Sequence, residues 1–145
     1  MEILAVVVSA VAGAAMSIQG VFNARLSEKI GLFESNTFVQ GTAFLFAVIA
    51  MVTAGNGSFG RLHEVKKLYW LGGLLGIVIT VTVMLGVQRL GPAVSVSIIL
   101  IAQLLVAAII DALGLFGSEK IPFLWTKWAG IALMVSGVIV FKVKL

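Results

Sequence analysis

Five long apolar stretches take up most of this 145-residue chain, and they constrain its fold more than any other feature. A helix needs roughly 20 predominantly apolar residues to cross the hydrocarbon core of a bilayer. The stretches are 3–23, 36–54, 69–87, 93–113 and 124–143. We therefore predict an all-α integral membrane protein with five transmembrane helices, in a single membrane domain covering 1–145.

The composition favours a bilayer over water and excludes several kinds of site. Hydrophobic residues make up 61% of the sequence and charged residues only 11%, whereas a soluble domain is about a quarter charged. The chain has no cysteine and a single histidine, His63, which excludes disulfides, thiolate metal sites and a histidine cluster within one chain. No nucleophile–base pair and no phosphate-binding loop stands out. We expect no enzymatic activity, no cofactor, no metal and no nucleic-acid partner.

Positive charges are balanced between the two sides of the predicted membrane domain. Five helices place the termini on opposite sides, and the side richer in Lys and Arg normally faces the cytoplasm. The basic residues are Arg61, Lys66, Lys67, Lys120 and Lys127 on one side, and Arg25, Lys29, Arg89, Lys142 and Lys144 on the other. Either one segment fixes the orientation and the balance is incidental, or the chain inserts both ways. We favour dual topology, with two chains paired as an antiparallel homodimer.

Four large amide side chains cluster near one end of the first two predicted helices. Gln19 and Asn23 are one helical turn apart, and Asn36 and Gln40 have the same spacing. Because the first helix ends where the second begins, we expect all four at one membrane depth. One interpretation is hydrogen bonding between helices. Clustered amides need several partners at once, however, and we favour a water-filled cavity.

Further polar residues lie on the fourth predicted helix. Ser95 and Ser97 are in its first turns, on the side of the amides, and Gln103 is at its centre. For the serine hydroxyls we favour hydrogen bonds between helices, and bonds back to carbonyls of their own helix are also open to them. Gln103 extends the expected cavity. Asp111 lies about 12 Å beyond Gln103, by the helical rise. It is either a functional carboxylate inside the membrane or a group near the headgroups, solvated or paired with lysine.

Four segments of the chain resemble a known family. They are "GAAMSIQGVFNARL" (13–26), "GGLLG" (72–76), "RLGPAVSVSIILIAQLLVAAIIDALGLFG" (89–117) and "WAGIALMVSGVIV" (128–140). In this order they resemble the YdcZ family, a branch of the drug/metabolite transporter superfamily. The resemblance implies characteristic positions at Gln19, Asn23, Gln103 and Asp111. The chain departs from the family at Ala102, where glycine is frequent, and at Ala112, where histidine is frequent, so no role of that histidine is carried over.

The resemblance also implies a function and a location. It implies small-molecule transport in the bacterial inner membrane, and it is compatible with antiparallel assembly. We expect alternating access for a small polar or amphipathic metabolite at a cavity in the dimer interface. A passive channel, or an assembly module without transport, remains an alternative use of the same residues. The candidate substrate-binding residues are Gln19, Asn23, Asn36, Gln40, Ser95, Ser97, Gln103 and Asp111.

Overall fold

The computed structural model describes residues 2–122 and 124–142, and these residues form helices and connections without any strand. The five α-helices of this part of the chain follow the order of the apolar stretches. They are α1 (Glu2–Ile30), α2 (Leu32–Ala54), α3 (Gly72–Leu90), α4 (Pro92–Leu113) and α5 (Trp125–Lys142). Short 3₁₀ helices cover Phe59–Glu64, Lys67–Leu71 and Leu115–Gly117. The predicted all-α class is confirmed.

The length and surface of the helices are those of membrane spans. Four segments are long and apolar enough to cross a bilayer, and the apolar part of α5, Trp125–Phe141, is shorter. Many large apolar side chains are exposed on the surface of the protein. For example, Phe44 is 71% exposed and Phe46 is 69% exposed. Such a surface is unfavourable in water and favourable in lipid, where helices satisfy their own backbone polar groups. Four of the five predicted membrane-length helices are therefore confirmed, and the fifth is a shorter apolar helix.

The connection between α1 and α2 is much shorter than the sequence predicts. A loop is expected between 23 and 36, but the structure is helical on both sides of Gly31. The expected helix ends lie where the hydropathy falls. Residues 24–29 are mostly polar, but they include Ala, Arg, Leu, Glu and Lys, which have high helix propensity. Gly31 has φ +100°, a conformation that favours glycine and turns the chain. Asn23 and Asn36 consequently lie inside helices and not at helix ends.

The other helix ends differ by only a few residues. The third predicted helix covers 69–87, but residues Lys67–Leu71 form a 3₁₀ helix and α3 continues to Leu90. Pro92 is in the first turn of α4, where its missing N–H costs nothing. Gly114 ends α4 in the left-handed conformation with φ +63°. The end of the fifth prediction, residue 143, lies outside the described residues.

The first compact unit of the chain extends to Arg89 and contains α1, α2 and the body of α3. α1 packs along α2. α3 approaches α1 closely at Gly20, where an added Cβ would lie 3.2 Å from Val83 Cγ1. A glycine in such a position lets two membrane helices come close together. This unit contains the four amides of the first two predicted helices.

The second compact unit begins at Leu90 and contains α4 and α5. The two helices pack against each other through branched apolar side chains. Ile98, Ile101 and Leu105 of α4 line one apolar groove together with Val135 and Val138 of α5. The single membrane domain over 1–145 stays a prediction, and each unit is described by itself.

Candidate functional site

The three helices of the first unit bring a row of polar side chains together, which we call the polar seam. Its members are buried or bonded across a contact between helices. They are Asn23, Ser27, Ser35, Asn36, Gln40, Thr80 and Gln88. Along α3 the seam extends from Gln88 to Thr80, which is about 12 Å by the helical rise.

Gln88 links α3 to α1 at one end of the polar seam. Its Nε2 donates to the carbonyl oxygen of Ala24 over 3.2 Å and to Ser27 Oγ over 2.7 Å. Ser27 Oγ in turn donates to the Ala24 carbonyl over 2.9 Å. Because a carbonyl oxygen can only accept, these contacts fix the orientation of the Gln88 amide, with its nitrogen toward α1.

The buried middle of the polar seam lies between α1 and α2. Asn23 and Asn36 are both buried, and Ser35, which precedes Asn36 on α2, is fully buried. Ser35 Oγ donates to the backbone carbonyl of Asn23 over 3.4 Å. Asn36 Oδ1 is buried, yet no donor among the described residues reaches it. An unsatisfied buried acceptor costs about 1–3 kcal/mol, so Asn36 calls for a functional explanation.

Gln40 links α2 to α3 at the other end of the polar seam. The Thr80 hydroxyl donates its hydrogen to the Gly76 carbonyl over 2.8 Å. The hydroxyl oxygen of Thr80 can therefore only accept a further hydrogen bond. Gln40 Nε2 donates to it over 3.3 Å. Gly76 faces the same contact, and an added Cβ there would lie at ordinary van der Waals distance, 3.7 Å, from Gln40 Nε2. One N–H of the Gln40 amide is thus bonded to α3.

The four predicted amides do not all enter the polar seam. Asn23, Asn36 and Gln40 belong to it, whereas Gln19 is exposed one turn before Asn23 on α1. Residues i and i+4 of a helix are offset by about 40° around its axis. This offset is enough to place Gln19 outside the contact in which Asn23 is buried.

Gln88 belongs to the polar seam but is not among the residues predicted from the sequence. The predicted third helix ends at Val87, which places Gln88 in a loop, but α3 continues to Leu90. A signal was present, since Gln88 is one more large amide near the end of an apolar stretch. It would have been found by extending the helix to the break at Gly91.

The candidates of the second unit have separate environments. Ser95 is buried, and Ser97 Oγ donates to the Ala93 carbonyl over 2.8 Å, as expected for a helical hydroxyl. Gln103 is exposed on α4. Asp111 is half-buried in the last turn of α4, where its backbone carbonyl accepts hydrogen bonds from the N–H groups of Gly114 and Ile121.

Comparison with protein families covers nearly the whole chain. The model of a family described as "Putative inner membrane exporter, YdcZ" matches residues 4–140. Comparisons with curated proteins and with solved structures found no match. The matched region includes all members of the polar seam and all candidate residues of the second unit.

Proposed function

The chain belongs to the YdcZ family, and from this premise we propose that it is a transporter whose solute-binding site includes the polar seam. It is a multi-pass protein of the inner membrane, and its family supports a transporter in the general sense. The observation that carries the finer proposal is Asn36 Oδ1, a buried acceptor without a donor among the described residues. A bound solute that donates a hydrogen bond there would remove the cost of this unsatisfied oxygen.

The hydrogen bonds of the polar seam favour a solute that carries N–H or O–H donors. The donors of Ser35, Gln40 and Gln88 are directed to oxygens of the protein. The seam contains no basic side chain, so a desolvated anion would find no compensating charge in it. We therefore propose an uncharged or cationic solute, small enough to enter between α1, α2 and α3.

Alternating access by an antiparallel homodimer remains our proposal for the mechanism. The balanced basic residues support it, because they leave the positive-inside rule without a preferred orientation. A typical intramolecular hydrogen bond contributes only about 1 kcal/mol net, so exchanging seam contacts for solute contacts would cost little. Gln19, Ser95, Ser97, Gln103 and Asp111 stay sequence-based candidates for contacts with the solute.

Flux in proteoliposomes tests this proposal. The solutes are radiolabelled mannitol and choline, which carry hydroxyl donors, with tetramethylammonium and lactate as comparisons that lack donors or carry negative charge. We expect saturable uptake, stimulated by counterflow, for mannitol or choline and none for the two comparisons. Nonsaturable flux of all four would indicate a pore, and uptake of lactate alone would refute the proposed solute class.

Two matched variants connect the flux to the polar seam. Asn36→Leu removes the buried oxygen at similar volume and should abolish uptake. Thr82→Val is the control, because Thr82 is exposed and its hydroxyl donates to the Val78 carbonyl of its own helix. Equal uptake by wild type and Asn36→Leu would show that transport does not use the seam at this residue.

A further inference from the structure

An apolar pocket lies at the end of α2 that is remote from Gly31. It encloses about 360 Å³ and is lined by Met51, Gly55, Gly57, Ser58, Phe59, Arg61, Leu62 and Val65. α2 has 23 residues, which corresponds to about 34 Å at the helical rise. The hydrocarbon core of a bilayer is about 30 Å thick, so a helix of this length crosses it. The pocket is therefore at the level of the headgroups, on the side opposite Gly31.

The wall of this pocket is apolar and uncovered. Phe59 is 77% exposed, Leu62 is 47% exposed and Val65 is 40% exposed. These side chains extend from the connection between α2 and α3, where Phe59–Glu64 forms a 3₁₀ helix. Exposed apolar side chains at the membrane surface are stabilised when hydrocarbon covers them. The lining thus fits the upper part of a lipid acyl chain.

The segment that forms this pocket is basic. Arg61 lines it directly, and Lys66 and Lys67 follow in the chain, against the single acid Glu64 of the segment 55–71. A guanidinium offers paired N–H donors that match a phosphate. Basic residues beside a membrane attract anionic lipids more strongly than zwitterionic ones, whose own ammonium group offsets the phosphate charge.

We propose that this pocket is a binding site for an anionic phospholipid. An acyl chain lies against Met51, Phe59 and Leu62, and the headgroup phosphate lies against Arg61. The site is independent of the polar seam and of the solute that the protein carries. If no lipid binds here, the transport proposal is unaffected. If the transport proposal fails, the lipid site is unaffected.

Quenching by brominated lipids tests the site directly. A reporter protein carries Phe59→Trp together with Trp70→Phe, Trp125→Phe and Trp128→Phe, so that fluorescence comes from the pocket alone. It is reconstituted in phosphatidylcholine vesicles containing equal fractions of either brominated phosphatidylglycerol or brominated phosphatidylcholine. We expect stronger quenching by the anionic lipid, and a weaker preference at high salt because the charges are exposed.

The preference should depend on Arg61. In the reporter protein, Arg61→Gln should lower the association of phosphatidylglycerol relative to phosphatidylcholine about fivefold, which corresponds to ~1 kcal/mol for one basic residue near an anionic surface. Arg25→Gln is the control, because Arg25 is an exposed arginine on α1 that pairs with Glu28. Equal quenching by both lipids, or an unchanged preference after Arg61→Gln, would overturn the proposal.

A second measurement avoids the tryptophan substitutions. Phospholipids that copurify with the otherwise native chain are extracted and quantified by mass spectrometry for wild type, Arg61→Gln and Arg25→Gln. We expect the ratio of anionic to zwitterionic lipid to fall only in Arg61→Gln. The same ratio in all three proteins would refute a specific site, even if the reporter protein failed to fold.

Discussion

The side-chain oxygen of Asn36 is buried in the contact between helices and accepts no hydrogen bond from the described residues. Lipid tails carry no donor that could supply one. The neighbouring residue, Ser35, is fully buried and donates to a backbone carbonyl of α1. The two residues therefore differ in what they contribute to stability. The Ser35 hydroxyl has a partner for its own donor, whereas Asn36 adds a buried acceptor without a donor among the described residues.

We expect Asn36→Leu to stabilise the solute-free protein by about 1–2 kcal/mol, because it removes a buried acceptor and keeps the volume. The measurement is the thermal unfolding midpoint in detergent without added solute. Thr82→Val serves as the control and should leave the midpoint nearly unchanged. A lower midpoint for Asn36→Leu would show that the oxygen has a structural partner, and the functional interpretation of Asn36 would fail.

Amide spacing in the sequence predicts part of the polar seam. Asn23, Asn36 and Gln40 were predicted because two pairs of amides share one helical spacing near a common helix end. Ser27 and Thr80 are not among the predicted site residues. The pairing of Gln40 with Thr80 depends on how α2 and α3 face each other, and spacing within one helix carries no information on that.

At the scale of elements, the short link between α1 and α2 determines where the buried amides lie. Gly31 has φ +100° and ψ +158°, a region of backbone conformation that is populated almost only by glycine. Because one residue reverses the chain, Ser27 and Ser35 are each only four residues from the turn. The first turns of α2 are thereby held against the last turns of α1.

We expect Gly31→Ala to destabilise the protein by about 1–3 kcal/mol, since alanine is strained in this conformation. Gly41→Ala is the matched control within α2, where nothing lies within 4 Å of an added Cβ. Alanine should be neutral there or stabilise by up to ~1 kcal/mol, through its better helix propensity. Unfolding midpoints of the two variants in the same detergent make the comparison, and equal midpoints would contradict the role of Gly31.

Helix number and type follow from hydropathy, whereas several helix ends do not. All five apolar stretches correspond to helices of the described residues. Residues 24–30 are helical although they are charged, because helix propagation needs no apolar side chains. Residues Lys67–Leu71 are apolar enough for a span but form a 3₁₀ helix before α3. Hydropathy reports which residues prefer lipid, and it reports backbone conformation only indirectly.

At the scale of the whole molecule, the balance of basic residues is the property that bears on orientation. Five basic residues on each predicted side leave the positive-inside rule without a preference. Since no cysteine is present, single cysteines can report orientation without background. Ile30 and Gly57 are exposed, lie near opposite ends of α2 and carry no charge, so replacing them leaves the balance unchanged.

We expect Ile30→Cys and Gly57→Cys each to react with a membrane-impermeant thiol reagent to about half in intact cells, as equal insertion in both orientations requires. Full reaction after permeabilisation is the control for accessibility. Complete labelling of one cysteine and none of the other would establish a single orientation. The antiparallel homodimer would then be excluded.

Gly31 also has a consequence for biogenesis. A single residue, Gly31, links α1 to α2. We therefore expect neither helix to reach its final position across the bilayer before the other one enters it. We expect the two to leave the translocon together, as a helical hairpin. Orientation is then chosen once for the pair, and the ribosome must release residues through the end of α2, Ala54, before that choice is complete.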